Sequence, residues 1–152
     1  MADVIAINRD EKEDATSMVI VKRTSSAGWT VGHDSDFEIG GEEELTLPGD
    51  TVLSDAFEVP ETVRRIRVEV SNFQDGRSFS LIRQLREKIE YTRSILVVGQ
   101  ISPAQLLHMS ELGADQFAFD SDETALASQR ILKKRDSRFR YRENYTLRRI
   151  HK

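Results

Sequence analysis

The sequence predicts an α/β fold: a mostly parallel sheet of about five strands built from βαβ units, open or half-barrel-like, with a basic C-terminal tail. Three observations carry this. From Ile66 onward, short β-branched or aromatic runs alternate with amphipathic segments of helical length. The turns between them are only a few residues, as right-handed crossovers within one sheet require. The chain has 152 residues, enough for one domain with a substantial core but short of the ~250 of a closed βα barrel.

Each element follows in order. Val4–Ile7 is a short candidate strand in an acidic, flexible N-terminus spanning 1–17. The single α/β domain then runs over 18–136. Met18–Val21 is a β-branched run of strand length. Residues 24–43 read as loop, with extended pieces at Trp29–Val31 and Phe37–Ile39. Leu45–Leu47 is a brief strand stopped by Pro48-Gly49-Asp50, and a short helix is expected over Thr51–Phe57 before Pro60 breaks the chain. Ile66–Val70 alternates as a strand, and Ser78–Ile89 carries Ile82, Leu85 and Ile89 on one helical face. Ile95–Val98, wholly apolar, belongs inside the sheet. Ser102, Pro103 and Gln105 form a capping box with a first-turn proline, and Gly113 closes that helix. Gln116–Phe119 is a further strand, and Asp120 with Glu123 is spaced as a capping box for the last helix.

Composition excludes several chemistries. With no cysteine there is no disulfide, thiolate metal site, cysteine-ligated cluster or cysteine nucleophile. His33, His108 and His151 are too far apart for a local zinc motif, so no metal site is expected, and without a flavin or nicotinamide fingerprint no cofactor is expected either. The longest apolar runs are four residues, Met18–Val21 and Ile95–Val98, against the ~20 needed to span a bilayer. The N-terminus turns acidic at once, without the apolar stretch of a signal peptide, and a cytoplasmic protein is the simplest reading.

In a parallel sheet, ligands gather beyond the carboxyl ends of the strands. That rule selects the loops at 71–77, 99–102 and 120–122. Asp75, Gly76 and Arg77 place a carboxylate and a guanidinium either side of a glycine at a helix start, with Ser80 one turn on and Gly99 ending the central strand. Such a set suits a small oxyanion. The competing reading makes Asp75 a helix cap and Gly76 a turn residue. Arg83 and Arg86 lie off the apolar stripe and read as a solvated, salt-bridged face. His108 reads as a surface or packing residue, and Trp29 as a contact anchor or a core residue.

Charge is unevenly divided. Residues 1–127 carry 12 basic and 24 acidic side chains, a net of −12, whereas 128–152 carry 10 basic and 2 acidic, a net of +8. In the tail, 137–152, Arg138, Phe139, Arg140, Tyr141 and Arg142 alternate basic with aromatic. Period two predicts an extended segment that docks on protein, its own acidic body or a second chain. Single-stranded nucleic acid is the weaker alternative, because the acidic body repels a polyanion.

Phe73–Ser80, Arg83–Glu87, Val98-Gly99-Gln100, Gln105-Leu106 and Gly113–Phe117 stand in an order that resembles the bacterial domain-of-unknown-function 934 family. The resemblance covers roughly Ile66–Phe119 and extends more weakly over Leu45–Thr51. Members of that family are often encoded beside assimilatory sulfite reductase and are sometimes labelled oxidoreductases. Here Ser78, Gln100 and Ala104 replace a glycine and two aspartates of the family pattern, which weighs against a catalytic role. The resemblance implies an accessory protein that binds a partner in sulfite reduction, any redox cofactor belonging to that partner. An α/β enzyme or sensor holding an oxyanion through Asp75, Arg77 and Ser80 is the alternative, and a tail that seeks nucleic acid the third.

Overall fold

Ile66, Val68, Ile95, Val97, Phe117 and Phe119 point to one side of a single open sheet, and that side is where the helices pack. A computed structural model describes residues 18–24, 28–33, 43–71 and 76–150, with side chains through Asp136. The described strands are β1 (Val19–Thr24), β2 (Gly28–His33), β3 (Glu44–Pro48), β4 (Arg65–Val70), β5 (Ser94–Gly99) and β6 (Gln116–Phe119). The helices are α1 (Arg77–Glu87), α2 (Pro103–Leu112) and α3 (Asp122–Ile150). Spatial order is β2-β1-β6-β5-β4-β3. Strands β3 to β6 are parallel, and β1 runs antiparallel to both β6 and β2.

The chain steps from β4 to β5 to β6 in one direction across the sheet. Crossovers of one hand taken in one direction fall on one face. Leu81, Ile82 and Leu85 of α1, Leu106 and Met109 of α2 and Leu132 of α3 accordingly share one core. The opposite face carries a smaller cluster of Ile20, Leu96 and Ala118. Beside it, Arg65 is buried, forks onto the Glu44 carboxylate and donates from Nη1 to Gln116 Oε1 at 3.2 Å. The all-apolar Ile95–Val98 run lies within the sheet, flanked by β4 and β6.

Four expectations are corrected. The sheet has six described strands rather than five, because Gly28–His33 pairs with β1 over its whole length. Its sequence offers only Trp29 and Val31 as alternating apolar residues, and pairing supplies the rest. Of the two readings of Trp29 the core one holds: it is 1% exposed, with its ring 5.9 Å from Phe117 and Nε1 donating to Asp136 Oδ2 at 2.8 Å. The 51–57 stretch contains no helix. Between Pro48 and Pro60 the chain makes successive tight turns, Thr51 N–H to Pro48 O and Phe57 N–H to Ser54 O, held by buried Leu53. Seven residues are too few to repay helix nucleation there.

The remaining corrections concern α3. Its first-turn cap is Ser121, not Asp120: Ser121 Oγ accepts from Thr124 N at 3.2 Å. At its other end the backbone stays helical to Ile150, so the 137–150 segment is not extended. Period two is the signature of a strand, and a helix of 3.6 residues per turn does not preserve it. The candidate strands at Val4–Ile7 and Phe37–Ile39 lie outside the described residues. The Ser102 capping box and the positive-φ cap at Gly113 are present as the sequence predicts.

Candidate functional site

Two places on the molecule gather polar chemistry, one at each end of the parallel strands. At the carboxyl end, Gly76, Arg77 and Ser80 stand exposed at the start of α1. Asp75 lies outside the described residues. Gly76 has φ −73°, with open space where a Cβ would stand, and it supplies no side-chain cap. Gly99 ends β5 in register with Val70, the last residue of β4. Its φ is +129°, and a Cβ there would stand 2.0 Å from Val70 O. Close approach of two strand ends therefore accounts for this glycine without any ligand. Nearby, Gly49 N–H donates to Glu69 O at 2.7 Å, and buried Ser78 packs beneath Gly49.

The amino end holds a feature the sequence does not announce. A cleft of about 720 Å³ opens between residues 55–63 and 88–93. Its walls are the β3-to-β4 crossover, which carries no helix, and the connection from α1 to β5. Its apolar lining is Phe57, Val59, Pro60, Val63, Ile89 and Tyr91, and its charged rim is Asp55, Glu58, Glu61, Glu90, Lys88 and Arg93. Lys88 Nζ donates to Asp55 Oδ1 at 2.8 Å, and Arg93 Nη1 donates to the Glu61 carbonyl at 2.6 Å. Glu90 holds φ +60°, a left-handed conformation costly for a glutamate. The signal available in the sequence is the pair of prolines, Pro48 and Pro60, that punctuate this stretch on either side.

Arg86 builds the wall behind this cleft. Its guanidinium donates to three backbone carbonyls: Tyr91 O and Arg93 O from Nη1, both at 2.7 Å, and Gly113 O from Nε and Nη2. The sequence reading of Arg86 as a solvated face is corrected. Arg83, with Glu87 at 3.0 Å on an exposed face, is as that reading has it. His108 stacks on Phe79, with ring centroids 4.7 Å apart, a packing role.

Electrostatics follow from burial. Desolvation lowers the Arg86 pKa against the attraction of Asp115. Burial pushes the Asp115 carboxyl up, opposed by the hydrogen bond from Ile95 N–H and by Arg86. Tyr91 is pushed up to about 12 by burial, and its hydroxyl finds no hydrogen-bond partner. Lys88, through its hydrogen bond and its charge, holds the Asp55 carboxyl below its ordinary value. Among the described residues no cluster of three or more histidine or carboxylate side chains is placed to hold a metal ion, and no helix is long and apolar enough to cross a membrane. The side chains of Arg138, Phe139, Arg140, Tyr141 and Arg142 lie outside the described set.

The fold and its two ends define an α/β protein with an open, mostly parallel sheet and all its described helices on one face. Residues 45–147 match the family described as "Bacterial protein of unknown function (DUF934)", and the chain belongs to that family. No curated protein and no solved structure matches it.

Proposed function

We propose that this is a cytoplasmic accessory protein that acts by binding other protein, not by catalysis, in the sulfite-reducing branch of sulfur assimilation. The observation that carries the binding role is the division of charge along one chain, −12 over 1–127 and +8 over 128–152, with the basic part forming most of a 29-residue helix. Opposite charges segregated this way favour docking between proteins. The link to sulfite reduction rests on the family resemblance. A deletion strain tests it: growth should fail or slow on sulfate and recover on cysteine. Restoration should need residues 137–152. Equal growth on both sulfur sources removes the reading.

A second reading keeps the carboxyl end as an oxyanion site formed by Asp75, Gly76, Arg77 and Ser80, with Gly99 beside it. It is supported by the exposure of Arg77 and Ser80 one helical turn apart, at the amino end of α1 where free amides attract anions.

A further inference from the structure

We propose that the amino-end cleft receives the basic C-terminal segment, residues 137–152, of a second copy of this chain, making a two-fold dimer. This rests on the reading of that segment as a protein-docking element and names the surface it docks on.

Charge is the first argument. Asp55, Glu58, Glu61 and Glu90 outnumber Lys88 and Arg93 on the cleft rim. Both bases are already engaged, Lys88 by Asp55 and Arg93 by the carbonyls of Glu61 and Val63. Glu58, Glu61 and Glu90 have no ion-pair partner among the described residues. Glu90 also keeps its carboxylate on this rim from a left-handed backbone that glycine or asparagine would hold at less cost. The 137–152 segment has six basic side chains and one acidic, with Tyr141 and Tyr145, at the four-residue helical spacing, as candidate apolar anchors for the Phe57 and Val59 side of the cleft.

Geometry is the second argument, and it selects a second copy over the same chain. Lys22 pairs with Gln116, the first residue of β6, and Arg23 N–H donates to Asp115 O, so Arg23 marks the amino end of the parallel strands. Asp136 of α3 bonds Arg23 at 3.1 Å, so α3 has reached that end by residue 136. Fourteen more helical residues carry it roughly 21 Å beyond. The cleft opens at the same end but beside the starts of β4 and β5, whereas α3 packs over β1, β2 and β6. Strands lie about 4.8 Å apart, so a helix continuing along its own axis passes the cleft of its own chain by several strand widths. Two copies with their amino ends opposed about a two-fold axis bring each extension to the other's cleft, an isologous contact that closes.

Charge reversal tests this, read by light scattering on a sizing column. The wild type should run at twice 17.4 kDa. The variant Glu58→Lys/Glu61→Lys/Glu90→Lys, altered only at exposed rim positions, and the variant Arg138→Glu/Arg140→Glu/Arg142→Glu should each run as monomers, the dimer dissociation constant rising about a hundred-fold or more. Unchanged thermal melting of each monomer shows that the fold is intact. Mixing the two variants should restore a dimer, because each reversed cleft then meets a reversed tail and each native cleft a native tail. Docking within one chain predicts no such rescue. A monomeric wild type, a dimer that survives either reversal, or a mixture that stays monomeric overturns the proposal. If residues 137–152 are still needed for growth on sulfate in that event, the docking segment stands and its partner is another protein.

Discussion

Arg86 in α1 and Gly113 at the end of α2 are fastened by two hydrogen bonds, from Nε at 3.1 Å and Nη2 at 2.8 Å to the same carbonyl oxygen. A Cβ on Gly113 would stand 2.6 Å from Arg86 Cγ, so the glycine and the arginine require each other. The remaining guanidinium nitrogen, Nη1, ties the 91–93 loop to the same point. One half-buried arginine thus holds two helices and the wall of the amino-end cleft.

Arg86→Ala should therefore leave three carbonyls without this donor and cost about 3 kcal/mol in urea unfolding. Arg86→Lys should recover less than half of that. A lysine brings the charge but not the planar fork that reaches carbonyls on two sides.

The two glycines of the carboxyl end should differ in their response to alanine. Gly99→Ala puts a Cβ against Val70 O at a positive φ and should destabilise by about 2–4 kcal/mol. Gly76→Ala meets open space at φ −73° and should shift stability by less than about 0.5 kcal/mol. Paired thermal melts check both.

Tyr91 sets an alkaline limit. Its phenol is pushed up to about 12 in the folded state, against an ordinary value of 10.0. The folded protein therefore holds this proton more tightly than the unfolded chain. Stability from this group is constant below pH ~10 and falls as pH rises from there towards ~12. The melting temperature of the wild type should drop across that window more than that of Tyr91→Phe. Near neutral pH the phenylalanine variant should be as stable or slightly more so, because it removes a buried hydroxyl with no hydrogen-bond partner.

Oxyanion binding separates the second functional reading from the first. If α1 opens a ligand site, calorimetric titration of sulfate or phosphate should give heat with the wild type. Arg77→Ala should abolish it at an unchanged melting temperature, since Arg77 is exposed. No heat with the wild type removes that site and leaves the docking role of the C-terminal segment standing.

The sequence by itself determines the βαβ run from Ile66 to Leu132. Apolar periodicity, capping residues and punctuating glycines are local signals, and Ser102, Gln105 and Gly113 act as they read. It also determines the division of charge, since that needs only counting. Tertiary structure alone decides what depends on distant partners. Gly28–His33 becomes a strand because β1 offers an edge, and Trp29 enters the core because Phe117 and Asp136 receive it. Arg86 changes from a solvated side chain to a clamp because the three carbonyls it binds come together only on folding, one of them 27 residues away. The amino-end cleft lies between a crossover that lacks a helix and the connection from α1 to β5, two segments that meet only on folding. Local pattern reports what a segment does with its own neighbours, whereas burial, close approach and cavity shape belong to pairs of segments that the chain brings together from afar.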